Sequence, residues 1–301
     1  GVNAGNSIAS GGNNNVCVGD EAGTAITTGD GNVAIGKDAL KTEDTTSFNV
    51  AVGSDALKTA NTAGNAYSVA VGHKASEAET LGIENTMVGA FAGGLGTLAS
   101  RSVGIGYSAL YRQNPSSAVD TYNIAIGYNT GSNVTTGAQN TIVGGLAADA
   151  LTTGGLNVAF GLHALGGDTA GSRSTALGYS ALLTQNFTSA TDVYNTGVGF
   201  EAGKAITTGI NNTLIGGLAG DALTDADYNT IVGYNALSTD VLGSRSVAVG
   251  FEALKTQNPS SATDMYNVGI GFNAGTSITT GIKNTLIGGN AGNEISTGSY
   301  N

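Results

Sequence analysis

Tryptophan is absent from this chain of 301 residues, proline occurs twice and cysteine once. A lone Cys17 excludes an intrachain disulfide framework. It occupies a place where related segments carry Ala, Gly, Ile or Leu, so it reads as a small buried apolar residue. Charge is scarce, at 11% of residues, and the net value is −11. Without clustered Lys and Arg the chain lacks what phosphate backbones require, which argues against nucleic acid as a partner. No apolar run reaches the length of a membrane-spanning helix, so no membrane insertion is expected, and no signal peptide is visible. His73 and His163 stand alone, without metal-ligand spacing or a nucleophile nearby. The acids recur with a period and gather nowhere into a pair suited to glycoside cleavage. The expectation is a protein with no metal, no cofactor and no catalytic site.

Glycine, by contrast, contributes 49 residues, over twice its usual share of about 7%. Sixteen of them end the same short phrase: Asn or Ser, a β-branched residue, a small or apolar residue, an aliphatic or Phe, then Gly. It reads NVCVG at Gly19, NVAIG at Gly36, SVAVG at Gly72 and NTLIG at Gly288. From Gly106 onward the phrase-ending glycines are spaced 21, 17, 17 and 17 residues apart, and the cycle repeats as a super-repeat of 72 residues. Before Gly106 the steps are 17 residues with a single 19. A fixed short period is the signature of a solenoid. Seventeen residues are too few for a βαβ unit, so each coil is made of short strands and turns.

The phrase supplies numbered positions, one being its Asn or Ser and five its Gly. Position two is Val, Ile or Thr in every copy and position four is Val, Ile, Leu or Phe, an alternation that suits a strand. The invariant glycines, Gly127, Gly199 and Gly271 among them, suggest a positive φ or a close backbone approach. Segments such as AITTG (25–29 and 205–209), VTTG (134–137) and SITTG (277–281) suggest a second, weaker strand. The fold expected is all-β: a parallel β-solenoid of about sixteen coils of 17 or 21 residues, one repetitive rod over 1–301. At about 4.8 Å per coil it would be on the order of 75 Å long. The chain starts at Gly1 without Met and both ends cut into the pattern, so a fragment of a longer fibre is expected. Position-one residues, including Asn123, Asn195 and Asn267, would stack as a hydrogen-bonded ladder.

Position three is never polar or charged, and it points away from positions two and four. With both sides apolar, one is expected to fill the coil and the other to meet a neighbouring chain. Position three is assigned to that interface, with Ile142, Leu214, Ile231 and Leu286 its bulkiest members. The trade between large position three with Gly145, Gly217 and Gly289, and small Gly197 and Gly269 with Phe200 and Phe272, suggests side chains of several subunits meeting near an axis. A homotrimer is the natural closed assembly.

Phrases such as NVAVGSDALKT (49–59) and NTIVGYNALST (229–239) resemble the NTAIGYxAL-type repeats of phage tail fibres. They are also similar to the heads of YadA-like trimeric autotransporter adhesins. The resemblance runs from about Asn15 to Gly292 and implies a trimeric β-solenoid that serves attachment to a surface. The longer coils favour the phage fibre. On this reading the chain is a structural shaft of a tail fibre or tailspike in the virion tail. The alternatives are a bacterial cell-surface adhesin or extracellular filament, or a carbohydrate-cleaving tailspike, which the scattered acids disfavour. Four extra residues in each 21-residue coil should bulge outward. Their Tyr122, Tyr194, Tyr266, Asp120, Asp192 and Asp264 are the candidate contacts for a host-surface glycan or protein receptor, because rigidly mounted loops are where binding concentrates. Arg101, Arg173 and Arg245, in the same 72-residue register, are expected to pair with those acids.

Overall fold

The computed structural model describes residues 1–62 and 64–301. It comprises sixteen coils in two compact units, 1–155 and 156–301, with eight coils stacked in each. Each unit holds eight three-residue strands, from Val16–Val18 to Thr141–Val143 in the first and from Val158–Phe160 to Thr285–Ile287 in the second. Within each unit successive strands pair in parallel and in register, so that position three faces position three, as in Leu214 opposite Ile231. Eight coils at the strand spacing make each unit roughly 38 Å long.

The strand is short because the chain turns at position five. Gly199 has φ +137°, and a Cβ placed on it would lie 2.5 Å from the Gly216 carbonyl oxygen of the next coil. Gly127 and Gly271 share this geometry. Both reasons for glycine therefore act at once, since backbones touch where the chain bends.

Three further left-handed residues recur in every coil, and none requires glycine. They are the residue before position one (Arg173, Tyr194, Tyr228), position seven (Asp38, Glu201, Glu252) and position nine (Leu40, Leu182, Leu254). Each costs on the order of 1 kcal/mol. In return the inverted residue sends its N–H along the solenoid axis. Asp38 donates to Asp20 O at 2.9 Å in the preceding coil, and Leu40 donates to Ala56 O at 3.1 Å in the following one. The backbone groups of the turns are thereby satisfied between coils.

Position three points inward. Ala34, Ala51, Ala125, Ile142, Leu214 and Ile231 are fully buried, and Leu286 is nearly so. They pack against the buried alanines of position eight (Ala39, Ala56, Ala219) and against position nine. This overturns the assignment of Ile142, Leu214, Ile231 and Leu286 to a subunit interface, because their side chains are enclosed by their own chain. The volume trade is also relocated. A Cβ on Gly220 would come within 2.9 Å of Ile231 Cδ1, and one on Gly269 within 2.8 Å of Leu254 Cγ. Large side chains at one of positions three and nine thus face glycine at the other, inside the coil. Phe200 and Phe272, by contrast, lie outside, each 55% exposed. A coil this narrow has room mainly for Ala and Gly, which explains their dominance at position three.

The second strand is not where the sequence suggests. Residues 25–29, 134–137, 205–209 and 277–281 are turns and bends tied to the next coil by single bonds, such as Thr207 N to Thr224 O at 2.9 Å. Two-residue strands occur instead at the long coils: Ala99–Ser100 with Val119–Asp120, Gly171–Ser172 with Thr191–Asp192, and Gly243–Ser244 with Thr263–Asp264.

Candidate functional site

The position-one amides of the long coils bond through both ends of the carboxamide. Asn195 Oδ1 accepts the backbone N–H of Asn212 at 2.9 Å, while its Nδ2 donates to Gly209 O at 2.7 Å. Asn123 and Asn267 repeat the arrangement toward Asn140 and Asn284. Their side chains are fully buried, so this column holds the coil corner and offers nothing to a ligand.

Where Ser102, Ser174 and Ser246 replace Asn at position one, a longer amide reaches in from position twelve. Gln257 Nε2 donates to Asp240 Oδ2 at 2.5 Å and to Ser246 Oγ at 3.1 Å, and Gln257 Oε1 accepts from Asn267 Nδ2 at 2.8 Å. Asp240 Oδ1 in turn accepts the N–H of Gly243 at 2.7 Å. Gln185 and Asp168 repeat the pair at 2.5 Å. These networks lie under the two-residue strands and hold the base of each long coil. Burial pushes the Asp240 carboxyl above its ordinary range against the pull of its hydrogen bonds.

Above that base the long coils expose three similar triads. Asp and Tyr lie two residues apart and point outward, with a buried residue (Thr121, Val193 or Met265) between them. Arg173 Nε meets Asp192 Oδ1 at 2.8 Å, and its guanidinium lies 5.8 Å from the centre of the Tyr194 ring. Arg245 meets Asp264 at 2.9 Å and covers the Tyr228 ring at 4.7 Å, while Tyr266 Oη donates to Asp264 Oδ2 at 3.3 Å. Arg101 bridges Glu84, at 2.8 Å, and Asp120, to which Tyr122 Oη also donates at 3.2 Å. The six candidate side chains are thus brought together in pairs and completed by arginine. Asp192 and Asp264 are each balanced by one arginine, whereas Arg101 serves two acids, and about half of each tyrosine remains exposed. The triads sit on an open surface and not in a cleft.

A cavity of about 10 Å³, enough for one water-sized guest, lies inside the first unit. It is lined by Ser76, Glu79, Asn85, Met87, Gly96 and Gln113, among others. Glu79 accepts from Ser68 Oγ and Asn85 Nδ2, both at 3.1 Å, and burial raises its carboxyl to about 7. Among the described residues no group of three or more His, Cys, Asp or Glu is placed to hold a metal ion. None of the described helices is long and apolar enough to cross a membrane.

The largest outward feature is one that sequence reasoning placed on the wrong side. Positions two and four, all Val, Ile, Leu, Phe or Thr, face away from the core; Val18 is 55% and Phe160 57% exposed. Beside them, position six carries a column of exposed rings. Tyr179 stacks on Phe200 at 5.4 Å, and Tyr234, Phe251 and Phe272 stack in series at 5.8 and 5.2 Å. Alternation along the strand showed that positions two and four oppose position three, but not which of the two faces is inside. No protein-family profile matches the chain, and no curated protein sequence or solved structure does so either.

Proposed function

We propose that the chain is a structural, non-catalytic shaft that associates with copies of itself and contributes to attachment at a host surface, as a segment of a phage-type tail fibre or tailspike carried on the virion. The observation that carries this reading is the outward strand face, which has no charged residue in any of the sixteen phrases. Within one unit it covers eight coils of three-residue strands, roughly 380 Å² at the strand spacing and rise. That already lies within the few hundred Å² of the largest apolar patch of a monomer, before the exposed rings of position six are added. Covering it with a second and third copy removes Val and Ile from water at about 25 cal/mol per Å². A trimer closes such a seam without leaving an open edge. The Arg–Asp–Tyr triads lie away from the core and remain available for a host-surface glycan or protein receptor. Light scattering of the purified chain should give three times the chain mass. A well-folded monomer at micromolar concentration would sink the proposal.

A further inference from the structure

The ring column at position six runs through Tyr107 and Tyr128, then Tyr179 and Phe200, then Tyr234, Phe251 and Phe272, and is interrupted by Gly145 with Leu162, by Gly217 and by Gly289. At Gly217 the gap is flanked by rings on both sides. Phe200 has one face against Tyr179, and Tyr234 has one face against Phe251. Their other faces look toward each other across the Gly217 coil, two coils apart, roughly 10 Å from ring to ring by the strand spacing. A single planar ring fits between them, because neighbouring rings in the intact parts of the column are 5.2–5.8 Å apart.

The glycine itself has no reason within the single chain. Unlike the position-five glycines, Gly217 is not in the positive-φ region. A Cβ there would meet the edge of the Tyr234 ring, Cδ2 at 3.4 Å and Cε2 at 3.7 Å, which are ordinary contacts, and a Cβ on Gly289 would meet nothing within 4 Å. Backbone and packing would both accept a side chain. What a side chain would remove is the space between Phe200 and Tyr234.

We propose that the gap at Gly217 is a slot for an aromatic ring of a second copy of this chain, which sets the register in which copies lie together. This rests on the self-association proposed above. The slot adjoins the apolar strand face, so its occupant arrives with the copy that covers that face. Both open ring faces gain a stacking partner, an arrangement favoured beyond simple area burial. The exposed tyrosine and phenylalanine columns of the second copy supply the ring. Gly145 is followed by Leu162, so the slot with two ring walls is the one at Gly217, and it specifies one register between copies.

Gly217→Phe fills the slot from within. Association measured by sedimentation equilibrium should weaken about tenfold or more, with an unchanged circular dichroism spectrum. Phe200→Ala and Tyr234→Ala remove the walls and should weaken it in the same direction. Association of wild-type strength in Gly217→Phe overturns the slot while leaving self-association standing. A wild-type chain that does not associate at all brings down both. Should Gly217→Phe fail to fold, unchanged association of the two wall variants overturns the proposal by itself. So does a monomer that takes up a sugar or free aromatic ring at this gap.

Discussion

The coils before Gly106 and the super-repeats after it share one frame and decorate it differently. In the early coils, position seven and its neighbours carry a ladder of ions. Lys41 lies between Glu21 and Asp38, Lys58 between Asp38 and Asp55 at 3.6 and 2.7 Å, and Lys74 beside Glu77 at 3.2 Å. Position six there is Asp20, Lys37, Ser54, His73 and Ala90. In the later coils rings occupy most of position six, and the lysine ladder shrinks to Lys204–Glu201 and Lys255–Glu252 beside the arginine pairs of the triads. The buried polar column differs as well. Glu43 accepts the backbone N–H groups of Asp44 and Thr46 at one oxygen while its Oε2 has no hydrogen-bond partner, and Glu79, though it accepts from Asn85 Nδ2 of the next coil, is still raised by burial. The later Asp168 and Asp240 are each met by a glutamine. The regular repeat gives these two buried carboxylates a glutamine donor, while Glu43 keeps an oxygen without a partner.

The largest effect should be blind to this difference. Gly53→Ala in the early coils and Gly199→Ala in the later ones both force a Cβ into the backbone of the next coil at φ +138° and +137°. Each should cost about 3 kcal/mol or more in denaturant unfolding. A much smaller loss at Gly53 would mean that the early coils can yield where the later ones cannot, and the claim of a common frame would fail.

The second effect should separate the regions. The Glu79 carboxyl is raised from its ordinary 4.5 to about 7 by burial. The folded state therefore holds the proton more tightly than the unfolded state does. Its stabilising effect is full below the unfolded value and is lost as pH rises through the folded one. Between those limits the first unit should lose on the order of 3 kcal/mol. Glu79→Gln should flatten that dependence and be the more stable protein at about pH 8. Gln257→Leu acts in the opposite direction, because it strips Asp240 of its donor and should destabilise the second unit by about 1–3 kcal/mol. Thermal melts from acid to mildly alkaline pH read both. A wild-type profile that is flat and superimposes on Glu79→Gln would show that the early carboxylate is already compensated.

Much of the frame was legible because it repeats. The phrase, its period and its alternation lead directly to parallel strands in register, and the sixteenfold glycine marks the bend. The left-handed turns at Leu40, Leu182, Tyr194 and Arg245 were not legible, since nothing in a leucine or arginine announces a positive φ; the axial hydrogen bonds that compensate it exist only once coils are stacked. The orientation of the strand was missed for a related reason. Apolar residues on both sides are compatible with either face being inside, and Ile142 and Leu214 looked like interface residues because they are large. The signal lay in the many Ala and Gly residues around them, which describe a narrow interior. The triads were partly legible: Asp192, Tyr194 and Arg173 share a register, but the cation–ring contacts depend on the coil spacing.

The smallest effect compares the two decorations directly. Lys58 meets its acids at the surface, where solvent screening leaves an ion pair worth less than about 1 kcal/mol. Its acid neighbour Asp55 is held below the ordinary carboxylate range chiefly by the hydrogen bond from Lys58, a favourable contact but an exposed one. Phe251 sits between two rings, so Phe251→Ala removes two stacking contacts of about 0.5–1.5 kcal/mol each at most. In low salt Lys58→Ala should lower stability slightly, and the loss should vanish as ionic strength shortens the Debye length. The loss in Phe251→Ala should be insensitive to salt and should grow with protein concentration if the ring column is covered by another copy. Equal salt dependence in the two variants would mean that the aromatic column does no more than the ion ladder it replaces, and the division of the chain into two kinds of surface would have no energetic content.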